Sequence, residues 1–307
     1  MSGVLTGFGI IAFVIFIGWL LARLRIVSQS NRLVLNQVAF FAASPALLFL
    51  ILSRADIAIV FSGVLLASAA TIVVAAALYF VIARLLFTRD PGRLVIGTSA
   101  SVYANINNIG LPVAIYVIGD AQYVGPMLIL QLVVMAPIVL GALDMLQPGR
   151  KSFVRVATQP LRNPIVIASA LGVVVAAFGW QLPEPIEAPL EILGGAAVPL
   201  MLLAFGVSLG GTRPLAPGTG RREVLAASVM KSVLMPILAW LLATYVFRLD
   251  PEIVYAVTVM AALPTAQNMY QYALRYNTGE TIARDVVLLT TFASLPVMLL
   301  IAWLVRP

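Results

Sequence analysis

The stretch Ser101-Val-Tyr-Ala-Asn105-Ile-Asn107-Asn108-Ile-Gly110-Leu-Pro112 decides the fold, together with Ala262-Leu-Pro264-Thr265-Ala-Gln267-Asn268-Met-Tyr270-Gln271-Tyr272. Each falls in the middle of a long charge-free apolar run, 94–119 for the first and 253–274 for the second. A helix needs about 20 apolar residues to cross the hydrocarbon of a bilayer, so both runs read as membrane spans. A proline inside a helix deletes an amide donor and clashes with the preceding turn, and glycine loosens the backbone further. Asn and Gln amides are too polar to face lipid, and they can satisfy backbone groups that a broken helix sets free. Both spans are therefore expected to break in mid-membrane.

The rest of the chain fits a lipid solvent. Of its 307 residues 62% are hydrophobic and only 10% charged, whereas a soluble domain is about a quarter charged. Surface-to-volume scaling does not allow so small a molecule to hide that much apolar surface from water. Eight further runs have spanning length: 3–22, 33–53, 57–83, 121–143, 163–183, 192–212, 224–247 and 286–305. Only 224–247 carries a charge, Lys231. A β-barrel would show alternating segments of about 10 residues instead. The first run lacks a basic leader and a small-residue cleavage site, so it reads as a retained helix, with a signal peptide as the lesser alternative. The expected fold class is an all-α integral membrane protein of ten spans. With no histidine and no cysteine, thiol catalysis, disulfides and His- or Cys-ligated metals are excluded, and no cofactor or metal is expected.

Charge sets the orientation. Arg54, Arg248 and Arg306 fall on one side of the ten spans, and fifteen basic residues from Arg23 to Arg284 fall on the other. The positive-inside rule makes the crowded side cytoplasmic and both termini external. The acidic segment Glu184, Glu187 and Glu191 then reads as an outer loop. The +7 net charge marks this asymmetry and implies no nucleic-acid partner.

The chain also repeats itself. A shift of 160 residues lays Asp90-Pro91 on Asp250-Pro251, Asn108 on Asn268, Tyr116 on Tyr276 and Gly119 on Gly279. The expected organisation is a five-helix repeat at 1–146, a basic cytoplasmic linker at 147–163 and a second repeat at 164–307. Five is odd, so the second copy enters the membrane inverted. Inverted repeats with a site at their midplane interface are the build of many secondary transporters.

Taken singly, each polar cluster is equally readable as a proline kink with interhelical amide bonds. Two at repeat-related positions favour a binding site made by crossed, unwound helices. Each break creates a half-helix N-terminus with free N–H groups and about half a positive charge. Asn105, Asn107, Asn108, Gln267, Asn268 and Thr265 add donors and acceptors without charge, and Gly110, Pro112 and Pro264 mark the crossover. A carboxylate is the natural guest, because no Asp or Glu lies near the break. Lys231 lies nine residues past Arg222, about 13 Å deeper at 1.5 Å per residue. It either snorkels to the interface or supplies a fixed positive charge, facing substrate or bracing the crossed helices. Gln131 reads as a helix–helix hydrogen bond or a substrate contact. Tyr270 and Tyr272 read as cavity lining or packing. Pro45 and Pro199 read as matched kinks, Asp144 and Asp285 as solvated or salt-bridged. The small residues Gly194, Gly195, Ala196, Ala197 and Gly206 offer a close-packing face.

At Leu35-Asn-Gln-Val-Ala-Phe-Phe-Ala-Ala-Ser-Pro45-Ala-Leu-Leu-Phe49, Asn105 through Pro112, Leu130-Gln131, Leu161-Arg-Asn-Pro164 and Ala261-Ala-Leu-Pro264 the chain resembles the auxin efflux carrier family. Bacterial members of that family include malonate- and malate-type carriers, and plant members export auxin. The resemblance runs nearly end to end. It implies ten helices in two inverted repeats with helices 4 and 9 crossed, a fold related to the bile-acid/sodium symporters. It also implies a homodimer in the inner membrane of a bacterial cell, with helices 1, 2, 6 and 7 as scaffold and helices 3–5 and 8–10 as the moving unit. By the same resemblance Asn105, Pro112, Gln131 and Pro264 fall on binding or crossover positions. The long cytoplasmic loop of many plant members is missing, and the residues after Pro264 depart from the plant pattern.

The expected function is secondary transport of a small organic anion, a mono- or dicarboxylate, by alternating access. No Walker motif supplies ATP binding. A channel would line a continuous pore with polar rings, whereas these polar groups cluster at one depth. An enzyme would have to rest its acid–base chemistry on Lys231 or tyrosine, so none is expected. An anion channel and a substrate-sensing receptor on the same fold are the rival readings.

Overall fold

The computed structural model describes residues 2–54, 63–146, 164–208, 215 and 220–305. The basic linker at 147–163 and Arg306 lie outside the described residues. Everything described is helix or connection, with no strand among the described residues beyond one isolated antiparallel bridge. Six helices are long and apolar enough to cross a membrane, and four shorter apolar helices accompany them. In chain order the helices are α1 (Ser2–Arg23), α2 (29–53), α3 (Gly63–Leu86), α4 (Pro91–Ala100), α5 (106–118) and α6 (Ala121–Met145). They continue with α7 (Pro164–Ala177), α8 (Glu184–Val207), α9 (Arg221–Val246), α10 (Pro251–Ala261), α11 (Asn268–Tyr276) and α12 (Glu280–Leu304). Phe13, Phe41, Val73, Leu85, Phe292 and Trp303 are exposed along these helices, an arrangement suited to hydrocarbon and costly in water.

Local chemistry explains the ends. Ser28 caps α2 by accepting from the Asn31 amide at 3.2 Å, and Asp90 caps α4 by accepting from the Arg93 amide at 2.7 Å. Pro91 and Pro251 occupy the first turns of α4 and α10, where a missing N–H costs nothing. The start of α8 differs from the sequence expectation. Glu184, Glu187 and Glu191 belong to the helix, not to a loop before it. Acidic side chains favour a helix N-terminus, and a search for charge-free runs passes over such a turn. Arg54 holds Glu187 and, at 2.8 Å, Glu191; Glu191 first and then Glu187 push its guanidinium pKa further up.

The described residues form two compact units. The first draws on Met1–Ser62, Asn107–Ile129 and Pro160–Thr212, and so holds α1, α2, nearly all of α5, the start of α6, α7 and α8. Its helices approach through glycine. A Cβ on Gly206 would collide with the Ile15 carbonyl of α1, and one on Gly18 with the Leu203 carbonyl of α8. A Cβ on Gly172 of α7 would lie 2.7 Å from the Phe49 carbonyl of α2, beside the fully buried Leu52. Without a hydrophobic drive between helices in lipid, such close backbone contact is the main attraction available. The small-residue face of α8 is therefore divided: Gly194 fits against Leu47 and Gly206 against α1, while Gly195 faces open space.

The second unit draws on Gly63–Ile106, Leu130–Gln159 and Arg213–Pro307, holding α3, α4, the end of α6 and α9 to α12. Its interior is more polar. Tyr79 of α3 is buried against Gly97 of α4 and donates to the Glu223 carbonyl at 3.3 Å. Tyr276 donates to Asp144 at 2.7 Å. Asp285, read from the sequence as solvated or salt-bridged, is fully buried and paired with Arg284.

Candidate functional site

The fourth and ninth runs are both interrupted. α4 stops at Ala100, and 101–105 leave the helix before α5 begins. α10 stops at Ala261, and 262–267 leave it before α11 begins. Pro264 accounts for the second stop, since the residue before a proline is pushed out of helical geometry. Pro112 acts differently. It lies within α5, between the wide turns Ile106–Gly110 and Ala114–Ile118, which absorb its missing amide. Gly110 and Pro112 thus lie beyond the unwound residues, on the part of the chain grouped with the first unit.

Within the second unit the two unwound segments run antiparallel and pair. The Asn105 amide donates to the Pro264 carbonyl at 2.7 Å, and the Ala266 amide donates to the Tyr103 carbonyl at 2.9 Å. Ala104 and Thr265 form the bridge between these bonds. Backbone stripped of its helix and away from water must find partners, and here each segment supplies them to the other.

Side chains complete the accounting. Thr265 is fully buried; its hydroxyl donates to the Ala100 carbonyl at 2.7 Å, and its amide donates to the Thr290 hydroxyl at 3.0 Å. Gln131, in the wide turn Leu130–Met135 of α6, donates to the Ala104 carbonyl at 2.5 Å. Lys231, in the wide turn Met230–Leu234 of α9, donates to the Ala261 carbonyl at 2.6 Å with 0% of its surface exposed. Lys231 does not snorkel: its ammonium lies at the C-terminal end of α10, where the helix dipole favours a cation. Two helix ends and two extended segments are held by three side chains from α6, α9 and the crossing itself.

The amides lie on the chain segments that form or follow this frame. Asn105 is 2% exposed, whereas Gln267 and Asn268, at the start of α11, are half-buried. Asn108 follows in α5 and is half-buried, and Asn107 lies in the same turn, its side chain outside the described ones. Tyr270 and Tyr272 are half-buried on α11. The second unit thus brings Asn105, Gln131, Lys231, Pro264, Thr265, Gln267 and Asn268 to one crossing. Sequence reasoning missed Thr290 and Tyr103, both fully buried, the latter donating to the Gln131 carbonyl at 3.4 Å. The repeat gave no signal for Thr290, since the 160-residue shift lays the apolar Leu130 on it. Among the described residues no three acidic side chains come together as a metal site.

Comparison with known proteins finds relatives along nearly the whole chain. The family described as membrane transport protein matches residues 8–302. A Rhizobium meliloti protein named "Putative malonate transporter" is 27% identical over 301 residues, 95% of this chain and 92% of that protein. Auxin efflux carrier component 8 of Arabidopsis thaliana is 24% identical over 141 residues, 45% of this chain and 38% of that protein. An uncharacterized transporter of Methanocaldococcus jannaschii is 21% identical over 301 residues, 96% of each chain.

Proposed function

The chain belongs to the membrane transport protein family, a family of transporters rather than enzymes, and on that premise we propose that it is a secondary carrier of a small organic anion working by alternating access. The observation that carries the reading is the crossing: two mid-span segments give up helical geometry and exchange backbone bonds, leaving amides and helix ends inside an apolar protein. Unwound backbone at membrane depth is tolerated where it is buried in protein or lines a cavity. Asn105, Gln267 and Asn268 hold the anion, with Asn107 and Asn108 continuing the same chain segment. Gln131, Thr265 and Lys231 belong to the same substrate site and fix its backbone. A mono- or dicarboxylate fits donors of this kind, and the names of the relatives, malonate and auxin, are both carboxylates.

The ten-helix inverted repeat is part of the proposal. Six long and four short apolar helices fall on the ten predicted runs. The contact of α1 with α8 is matched, with the repeats exchanged, by that of α7 with α2. In the same way α3 with α4 is matched by α9 with α10. The described helices of runs 1, 2, 6 and 7 fall in one compact unit, as a scaffold would, together with α5 and the start of α6. Both termini are external, and the carrier is a homodimer of a bacterial inner membrane.

Counterflow in proteoliposomes tests the function. Labelled malonate and a panel of monocarboxylates should show saturable uptake accelerated by unlabelled anion inside. Uptake that is linear in concentration and indifferent to internal anion would point to a pore. Orientation is tested in this cysteine-free chain by single cysteines. Those at Ser2 and Glu187 should react with an impermeant reagent from outside intact cells, and one at Ser152 should not; the reverse pattern would overturn the orientation.

A further inference from the structure

Three charged side chains are buried among the described residues, Glu223, Lys231 and Asp285, all in the second unit. Two of them are balanced. Glu223 is held by Arg93, through Nη2 at 2.8 Å and Nε at 3.3 Å. Asp285 is held by Nε of Arg284 at 2.8 Å and by the Leu215 amide at 2.9 Å. Each acid stands beside an arginine, and each pair sums to zero. Lys231 stands apart. Its one hydrogen bond among the described residues is to a neutral carbonyl, and none of their carboxylates lies within ion-pair range. An ammonium has three N–H bonds, so two lack a described protein acceptor. Burying a cation without a counter-charge is costly, and the carbonyl end of α10 offsets only part of that cost. In its protonated form Lys231 therefore gives the crossing one positive charge that no described side chain balances.

We propose that this surplus charge sets the valence of the substrate: the crossing accepts one negative charge, so the carrier takes monoanions in preference to dianions. The proposal rests on the transport reading above. One carboxylate neutralises Lys231, and the loaded site is then uncharged as it crosses the apolar interior. A second ionised carboxylate would find no partner and would be buried at a cost no group here offsets. A dicarboxylate is accepted in its singly protonated form. Lys231 is thereby a specificity-determining residue acting through charge, and any group presenting one carboxylate and one uncharged polar end fits.

Matched pairs of ligands test this on the full chain, purified and monodisperse. Malonate, succinate and glutarate are each compared with their monomethyl ester, which keeps the skeleton and removes one charge. Half-maximal thermal stabilisation should need about tenfold less of at least one ester than of its diacid at neutral pH, as expected for one uncompensated charge in low dielectric. Lys231→Met should lose that ester's stabilisation by about tenfold or more, and Lys231→Arg should keep the preference for the ester. Equal or tighter binding of the diacids by the wild type would overturn the proposal, as would unchanged ester binding by the Met variant. If the Met variant fails to fold, the wild-type ester-to-diacid ratio and the Arg variant still decide. Counterflow of anions without any ester preference would sink the valence and leave the carrier standing. Absence of both counterflow and ligand stabilisation would sink the two together.

Discussion

The two helix ends at the crossing look alike and are held differently. α4 ends on the Ala100 carbonyl, which accepts from the Thr265 hydroxyl, while α10 ends on the Ala261 carbonyl, which accepts from the Lys231 ammonium. The geometry is close to two-fold, with one backbone bond given in each direction. The charge is not. The residue 160 positions before Lys231 is Thr71, equally buried, whose hydroxyl donates to the Ala67 carbonyl one turn back in its own helix. A repeat needs only to fold, so two neutral caps would have served. The proposed carrier of anions needs a positive charge at the crossing, and the sequence offers one in a single residue of α9. In the proposed carrier, topology is shared between the halves and selectivity belongs to one of them.

Lys231→Met should sharpen this contrast most. Transport should fall by about a hundredfold or more, the scale of removing one preorganised charge from a low-dielectric site. Thermal stability should change by no more than about 1 kcal/mol, because an unpaired buried cation is itself costly. Full transport in the variant would reduce the ammonium to a cap like Thr265 and break the comparison. Transport should also survive replacement of sodium by potassium or choline, with Lys231 supplying the positive charge at the crossing; strict sodium dependence in the uptake assay would contradict that role.

Thr265→Val should do the opposite in kind, a loss of stability first. It leaves the Ala100 carbonyl without its hydroxyl donor beside a fully buried residue, at about 1–3 kcal/mol in a denaturation measurement. Thr265→Ser, which keeps the hydroxyl, should lose less than Thr265→Val; a Val variant of unchanged stability would mean that the hydroxyl is idle. Gln131→Leu should cost less, about 1 kcal/mol, since the Ala104 carbonyl keeps a second donor in the Ile106 amide at 2.9 Å. Thr71→Val should be smallest, within about 0.5 kcal/mol and with unchanged uptake. A large uptake defect there would show that the position matching Lys231 also works on the substrate.

Much of this was legible in the chain. Composition required lipid, Pro264 and the Asn and Gln clusters located both breaks, and Lys231 stood out as the one charge in a span. Less legible was where the fourth run unwinds. Pro112 suggested a break at itself, but two wide turns absorb the lost amide, and the backbone leaves the helix earlier, at 101–105. Wide turns have no composition signal, because they depend on which neighbour the side chain must reach. Thr290 was invisible for a related reason. A threonine in an apolar helix ordinarily bonds its own backbone, as Thr290 does to the Val286 carbonyl at 2.7 Å, and its second role as acceptor appears only when α12 meets the crossing. Glu184, Glu187 and Glu191 were misplaced because a charge-free criterion cuts off a helix turn that begins with acids.

In the proposed carrier the crossing holds the anion and is more than a pair of kinks. Anion counterflow in proteoliposomes containing Asn105→Ala or Asn268→Ala tests it most directly, alongside expression level and monodispersity of each variant. Counterflow should be lost in both while folding stays near normal, because in the proposed carrier both amides stand at the crossing and hold the anion. Wild-type counterflow in both variants would contradict it, and so would a loss of folding in both, which would make the amides structural and send the search for the site elsewhere.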